Sequence, residues 1–229
     1  ALQDVLSIDL PNLVQLDVSV LSGLLAEKLV SLSPKGLDRV FFANSGTETI
    51  EAAIKFSRYA TGKPKIIYCR GGYHGLSLGS LSATGDTHYK EGFGPLVPDF
   101  IEIPFGDLSA LEEALPQRDV AAFITEPIQG HGVWIPADDY LPKAAELVRH
   151  YGALFIADEV QTGLARTGKM LASDYEEVKP DILILGKALS GGTMPVSAAL
   201  ANDNIMLTIK PGQHGSTFGG NPLACKVAI

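Results

Sequence analysis

Lys187 follows the apolar run Pro180-Asp-Ile-Leu-Ile-Leu-Gly186 and precedes the small, turn-prone Ala188-Leu-Ser-Gly-Gly192. An amine at the mouth of a buried strand is expected to be desolvated. Burial disfavours the ammonium form, so such a lysine can attack a carbonyl carbon and form a Schiff base. The same position also suits a surface lysine just past a strand end. Upstream, Ala153-Leu-Phe-Ile-Ala-Asp158 is another short apolar run, and it ends in an acid. Two parallel strands joined by a crossover place their carboxyl ends on one edge of a sheet, so Asp158 and Lys187 can face one ligand. A helix cap or a surface acid is the alternative for Asp158, and it is the favoured reading for Glu159.

A third group of residues suits an anion. Arg39-Val-Phe-Phe-Ala-Asn44 reads as a strand, Ser45-Gly46-Thr47 as a turn, and Glu48 to Arg58 as a helix with apolar residues at helical spacing. Free N–H groups at a helix start, the helix dipole and two hydroxyls bind a phosphate without a basic side chain. Ser and Thr are also common N-caps, which is the plainer account of the same residues. A lysine amine, an opposed carboxylate and a phosphate site together are what a pyridoxal cofactor needs, the acid keeping the ring nitrogen protonated.

Asn44-Ser-Gly-Thr-Glu-Thr49, Tyr73-His-Gly75, Glu126-Pro-Ile-Gln-Gly130, Asp158-Glu-Val-Gln-Thr-Gly163, Gly186-Lys187 and Gly215-Ser-Thr-Phe-Gly-Gly-Asn-Pro222 occur in that order. The series resembles class III pyridoxal-phosphate aminotransferases, nearest to the ornithine, acetylornithine and putrescine members. The resemblance implies an α/β fold, the large domain of PLP fold type I, with a mostly parallel seven-stranded sheet covered by helices. It implies that Lys187 forms the Schiff base and shuttles the proton, that Asp158 pairs with the pyridinium nitrogen, and that Gln161 sits by the phenolic oxygen. It assigns Ser45, Gly46 and Thr47 to the phosphate, the Tyr73 ring to stacking, and Thr217, with Ser216, to the phosphate of a neighbouring subunit in a homodimer. Tyr73 also suits a loop aromatic packed on the core, and Gln161 and Thr217 suit ordinary turn residues. Glu126 reads as structural.

Two positions depart from the resemblance. Where ornithine and GABA members typically carry a carboxylate-binding arginine after Tyr73-His-Gly75, this chain has Leu76; where they carry a glutamate after Gly130, it has His131. A leucine cannot form a bidentate pair with a carboxylate. Leu76 and Trp134 are expected to make the pocket more apolar. His131 reads equally as a solvated loop residue or a substrate contact. The implied reaction moves an amino group from a terminal amine, such as ornithine, a diamine or an ω-amino acid, to an oxo-acid or aldehyde acceptor. A PLP-dependent aminomutase and a non-catalytic cofactor-binding or dimerisation fragment are the alternatives.

The elements that must position these residues alternate along the chain. Strands are expected at 40–43, 65–69, 100–103, 121–125, 154–157, 182–185 and 197–201, and helices at 48–59, 108–114 and 140–151. Residues 17–33 read as an amphipathic helix. With 229 residues, 46% of them apolar, a substantial core is available, and 24 Gly with 14 Pro fit an α/β chain rich in turns. A net charge of −8 argues against a nucleic-acid partner. Cys69 and Cys225 stand far apart in apolar contexts, which suggests reduced thiols and a cytoplasmic setting. The five histidines lack metal-ligand spacing, so no metal is expected, and no apolar run is long enough to span a membrane. Residues 1–229 read as one large PLP-binding domain of a longer protein, with an N-terminal segment and a small C-terminal domain missing.

Overall fold

In the computed structural model the described residues are 2–7, 19–116 and 118–229. The helices are α1 (Leu2–Leu6), α2 (Val20–Leu32), α3 (Gly46–Thr61), α4 (Leu78–Ser82), α5 (Leu108–Ala114), α6 (Tyr140–His150), α7 (Asp203–Met206) and α8 (Pro222–Ala228). The strands are β1 (Arg39–Ala43), β2 (Lys65–Cys69), β3 (Phe100–Ile103), β4 (Val120–Thr125), β5 (Leu154–Asp158), β6 (Ile182–Leu185) and β7 (Ser197–Ala201). They form one sheet of seven strands in the order β1-β7-β6-β5-β4-β2-β3. Only β7 runs against its neighbours, pairing antiparallel with both β1 and β6.

Strand alternation divides the apolar side chains between two layers. Phe155, Leu183, Leu185, Ala198 and Leu200 face a core completed by α2, α5, α6 and α8. Their neighbours Ile156, Ile182, Ile184, Ala199 and Ala201 face a second core completed by α3 and α7. Strands covered on both faces read as continuous apolar runs, which is why these segments stand out in the sequence. Phe123 and Phe155 are fully buried with ring centroids 6.0 Å apart. Truncating either to alanine costs about 3–5 kcal/mol.

Several expectations need correction. Helix α3 starts at Gly46, so Gly46 and Thr47 belong to its first turn rather than to the preceding loop. The expected helix over 17–33 begins at Val20 among the described residues; Asp17 and Val18 lie outside them. It is also less amphipathic than its spacing suggests, since Leu25 and Leu29 are buried while Val20, Leu24 and Leu32 are exposed.

Parallel strands bring their carboxyl ends to one edge. Asn44, Arg70, Glu126, Asp158 and Gly186-Lys187 all stand at the ends of β1, β2, β4, β5 and β6. Because β7 is reversed, its first residue reaches the same edge: Ser197 pairs with Ala43, and its hydroxyl donates to the Ser45 carbonyl at 2.8 Å.

Candidate active site

Asp158 closes β5 with only 3% of its surface exposed. Its Oδ1 accepts from the Val160 N–H at 3.0 Å, and its Oδ2 lies 2.7 Å from Nδ1 of the fully buried His74. Burial alone would lower the His74 pKa, but the hydrogen bond to Asp158, its charge and that of Glu126 raise it above the ordinary value. His74 Nε2 is buried with no hydrogen-bond partner among the described residues. Glu126, read from the sequence as structural, accepts from the Tyr73 and Gly130 N–H groups, both at 3.0 Å. Burial holds its carboxyl above the usual range, with His74 and the two N–H donors opposing and Asp158 reinforcing. Glu159 points away from this cluster: its carboxylate accepts from Thr162, from both N–H and hydroxyl of Ser173, and from the Ala172 N–H. It caps the 3-10 turn Ala172–Tyr175 and is buried rather than on the surface.

Lys187 follows β6 through Gly186, with its backbone at φ 38, a left-handed value uncommon outside glycine. Its Nζ donates to Gln161 Oε1 at 2.9 Å. The expectation of a desolvated amine is not met: Lys187 stands beyond the buried strand, in an open cavity, and is exposed. Gln161 is set by Gly130 opposite, where a Cβ would run into its amide.

The start of α3 faces the same space. Ser45 stands at the N-cap, but no side chain caps the helix N–H groups. Its hydroxyl instead donates to Glu48 Oε2 at 2.9 Å, beside the Asn44 N–H and amide, which donate to the same carboxylate. Burial raises the Glu48 pKa, yet these donors win and hold it below the usual carboxylate value. Thr47 Oγ1 is 2.7 Å from Ser77 Oγ and 2.6 Å from Ser80 Oγ. Both hydroxyls expected to help bind an anion are therefore committed elsewhere, which leaves the backbone. A side chain at Gly46 would be crowded, since a Cβ would meet Val160 Cγ1 at 3.0 Å and Val160 would have to give way.

The Tyr73 ring is half-buried and meets Tyr89 edge-on, with centroids 5.3 Å apart. A cavity of about 350 Å³ is lined by Ser45, Gly46, Thr47, Tyr73, His74, Gly75, Leu76, Glu126, Asp158, Val160, Gln161 and Lys187. Seven of the nine residues that the resemblance assigns to the cofactor thus converge on one space. Ser216 and Thr217 do not line it: Ser216 Oγ is 3.3 Å from Asn44 Nδ2, and Thr217 is exposed beyond it.

The Aminotransferase class-III family profile matches residues 17–229. The chain belongs to this family. It is 54% identical over 203 residues to the mitochondrial ornithine aminotransferase of Drosophila melanogaster, covering 85% of this chain and 47% of that protein. It is 49% identical over 201 residues to the acetylornithine aminotransferase of Methanopyrus kandleri, covering 87% of this chain and 51% of that one. The crystal structure of ornithine aminotransferase from Toxoplasma gondii superposes with a TM-score of 0.89 at 42% identity, covering 94% of this chain and 53% of that chain. The chain therefore spans about half the length of the relatives it matches.

Against other class-III aminotransferases, the departures noted in the sequence fall in different places. Leu76 does line the cavity, at 55% exposure. Trp134 does not, contrary to expectation: with exposed His131 it lines a separate cavity of about 460 Å³ beside Arg70 and Glu102. The short loop after Gly130 turns both side chains outward, because Gln129 and Trp134 exchange backbone hydrogen bonds at 2.9 and 3.2 Å. His74 and Val160 are the site residues that the sequence reading missed. The motif Tyr73-His-Gly75 carried the signal for His74; nothing local marks Val160, whose importance lies in its contact with Gly46.

Proposed function

We propose that the chain is the cofactor-binding part of a pyridoxal-phosphate-dependent aminotransferase that transfers the amino group of a terminal amine to an oxo-acid or aldehyde. The observation that carries this reading is the convergence of Lys187 Nζ, the Asp158 carboxylate, the Tyr73 ring and the uncapped start of α3 on one cavity. The donor set fits the group. An uncapped helix start suits a phosphate, a side-chain-free position at Gly46 admits its close approach, a buried acid suits a pyridinium, and an amine suits a carbonyl. Membership of the family and the ornithine and acetylornithine aminotransferases among the relatives support the same reaction class.

When bound, the cofactor would supply an electron sink for the substrate carbon that bears the transferred amine. The residues of this chain do the rest. Lys187 Nζ is the amine that would hold the cofactor through its carbonyl carbon and, when free, would carry the proton to and from the reacting carbon. Gln161 Oε1 accepts from that amine and fixes its direction. Asp158, tied to His74 and the Val160 N–H, presents a fixed negative charge to a ring nitrogen. The N–H groups at Gly46 and Thr47 would hold the phosphate, and Tyr73 would pack against the ring. Leu76 at the cavity rim favours an apolar or uncharged substrate portion over a carboxylate there. Exposed Thr217, and Ser216 next to it, would serve a second subunit of a homodimer. Two buried thiols suit a reducing, cytoplasmic setting.

The test is borohydride reduction of the protein with pyridoxal phosphate, followed by peptide mapping. Label on Lys187, lost in Lys187→Ala, is expected; label elsewhere only would sink the assignment. Asp158→Asn should still be labelled yet lose transfer severely, and an unchanged rate would remove Asp158 from its role.

A further inference from the structure

Segment 210–220 carries Ser216 and Thr217 and is held at three points. Gly219 lies so close to β1 that a Cβ there would run into the Phe42 carbonyl. Ser216 Oγ takes the Asn44 amide at 3.3 Å. The third point is His214. Its ring centroid lies 5.0 Å from that of Phe41 on β1 and 5.4 Å, edge-on, from that of Phe56 on α3. Its Nδ1 is 2.9 Å from Lys55 Nζ. A lysine ammonium has only donors to offer, so at this contact the amine donates and Nδ1 accepts. The ring is therefore neutral, with its proton on Nε2.

We infer that neutral His214 is the latch that docks the segment bearing Ser216 and Thr217 against α3, and that its protonation releases the segment. An imidazolium here would put two cations at hydrogen-bond distance on a partly desolvated ring. Burial and then Lys55 hold the His214 pKa below its ordinary value, with Glu51 of α3 opposing. Glu51 is itself engaged, its Oε1 accepting from the Ser77 hydroxyl and the Gly79 and Ser80 N–H groups; Arg39, on the same face of β1 as Phe41, is bonded to Asp203, and Lys210 within the segment donates its Nζ to the Leu207 carbonyl. The released ring titrates near its ordinary value of about 6.5. A group with a lower pKa docked than released favours docking where it is neutral, so docking weakens as pH falls below about 6.5. The latch stands by itself; its bearing on a neighbouring subunit's phosphate rests on the function proposed above.

Hydrogen exchange of peptides covering 210–220, corrected for intrinsic rates, tests this between pH 8 and 5. Protection is expected to be flat above about pH 7 and to fall by up to about tenfold per pH unit below about 6.5, with peptides of β4 and β5 unaffected. His214→Phe should retain protection without the pH dependence, and Lys55→Met should keep the onset near about pH 6.5 but lose less protection in total, because the docked ring is no longer held as far below its ordinary value. If wild-type protection is constant over the range, or if both variants follow the wild-type profile, the latch is wrong. Loss of cofactor labelling on Lys187 with the exchange profile intact would refute the proposed function and leave the latch standing.

Discussion

His74 Nδ1 and Asp158 Oδ2 sit 2.7 Å apart with both side chains shut off from solvent, although 84 positions separate them in the chain. The pair ties the loop after β2 to the end of β5. Removing one partner of a buried ion pair leaves the other uncompensated, so His74→Ala should cost about 3–5 kcal/mol. The His74 pKa is raised on folding, so the charged pair's contribution is fully present below about pH 6.5 and fades as pH rises through the elevated folded value. Urea titrations of the two proteins at several pH values check this: the stability gap should narrow as pH rises, and a gap that widens contradicts the assignment.

Gly130→Ala should leave the fold within about 0.5 kcal/mol of wild type, because the new methyl would meet only the flexible end of Gln161. It should nonetheless break the bond from Lys187 Nζ to Gln161. Slower covalent capture of pyridoxal phosphate with an unchanged Tm is the expected combination.

Glu159→Gln should act on stability alone. The carboxylate accepts from Ala172, Ser173 and Thr162, and an amide would turn donors toward donors. A loss of about 3 kcal/mol is expected, read from thermal unfolding, together with faster proteolysis near Tyr175. The adjacent Asp158→Asn should show the opposite profile, with chemistry impaired and covalent capture retained.

Burial pushes the Cys69 thiol up to about 12 and the Cys225 thiol up to about 11. Thiolate is the reactive form, so neither should react with a disulfide reagent at pH 8 until denaturant is added, when both should. Rapid native labelling of either would show that the element carrying it, strand β2 for Cys69 or helix α8 for Cys225, opens readily.

The strands were readable wherever burial on both faces made a continuous apolar run, as at Ile182–Leu185 and Ser197–Ala201. The start of α3 was not, because Ser-Gly-Thr has the chemistry of a turn whether or not the first helical bonds have formed. Helix α4 gave no periodic signal at five residues; it is capped from α3, where Glu51 Oε1 accepts from the Gly79 and Ser80 N–H groups at 2.8 and 3.0 Å. The exposure of Lys187 depends on what stands opposite it in space, which strand-end spacing does not encode. The motif Tyr73-His-Gly75 marked His74, but its contact with Asp158, 84 positions away, has no local trace.

Asp158 and Lys187 stand at the ends of adjacent parallel strands whose register pairs Asp158 with Ile184. Their separation is accordingly governed by the hydrogen-bonded ladder, whose strand spacing of about 4.8 Å is common to all sheets. Leu76 and His131, by contrast, lie on loops outside that ladder. Substitutions at Leu76, on the cavity wall, can therefore change what the cavity accepts without disturbing the alignment of Asp158 and Lys187, while those at His131 act on the separate cavity beside Arg70.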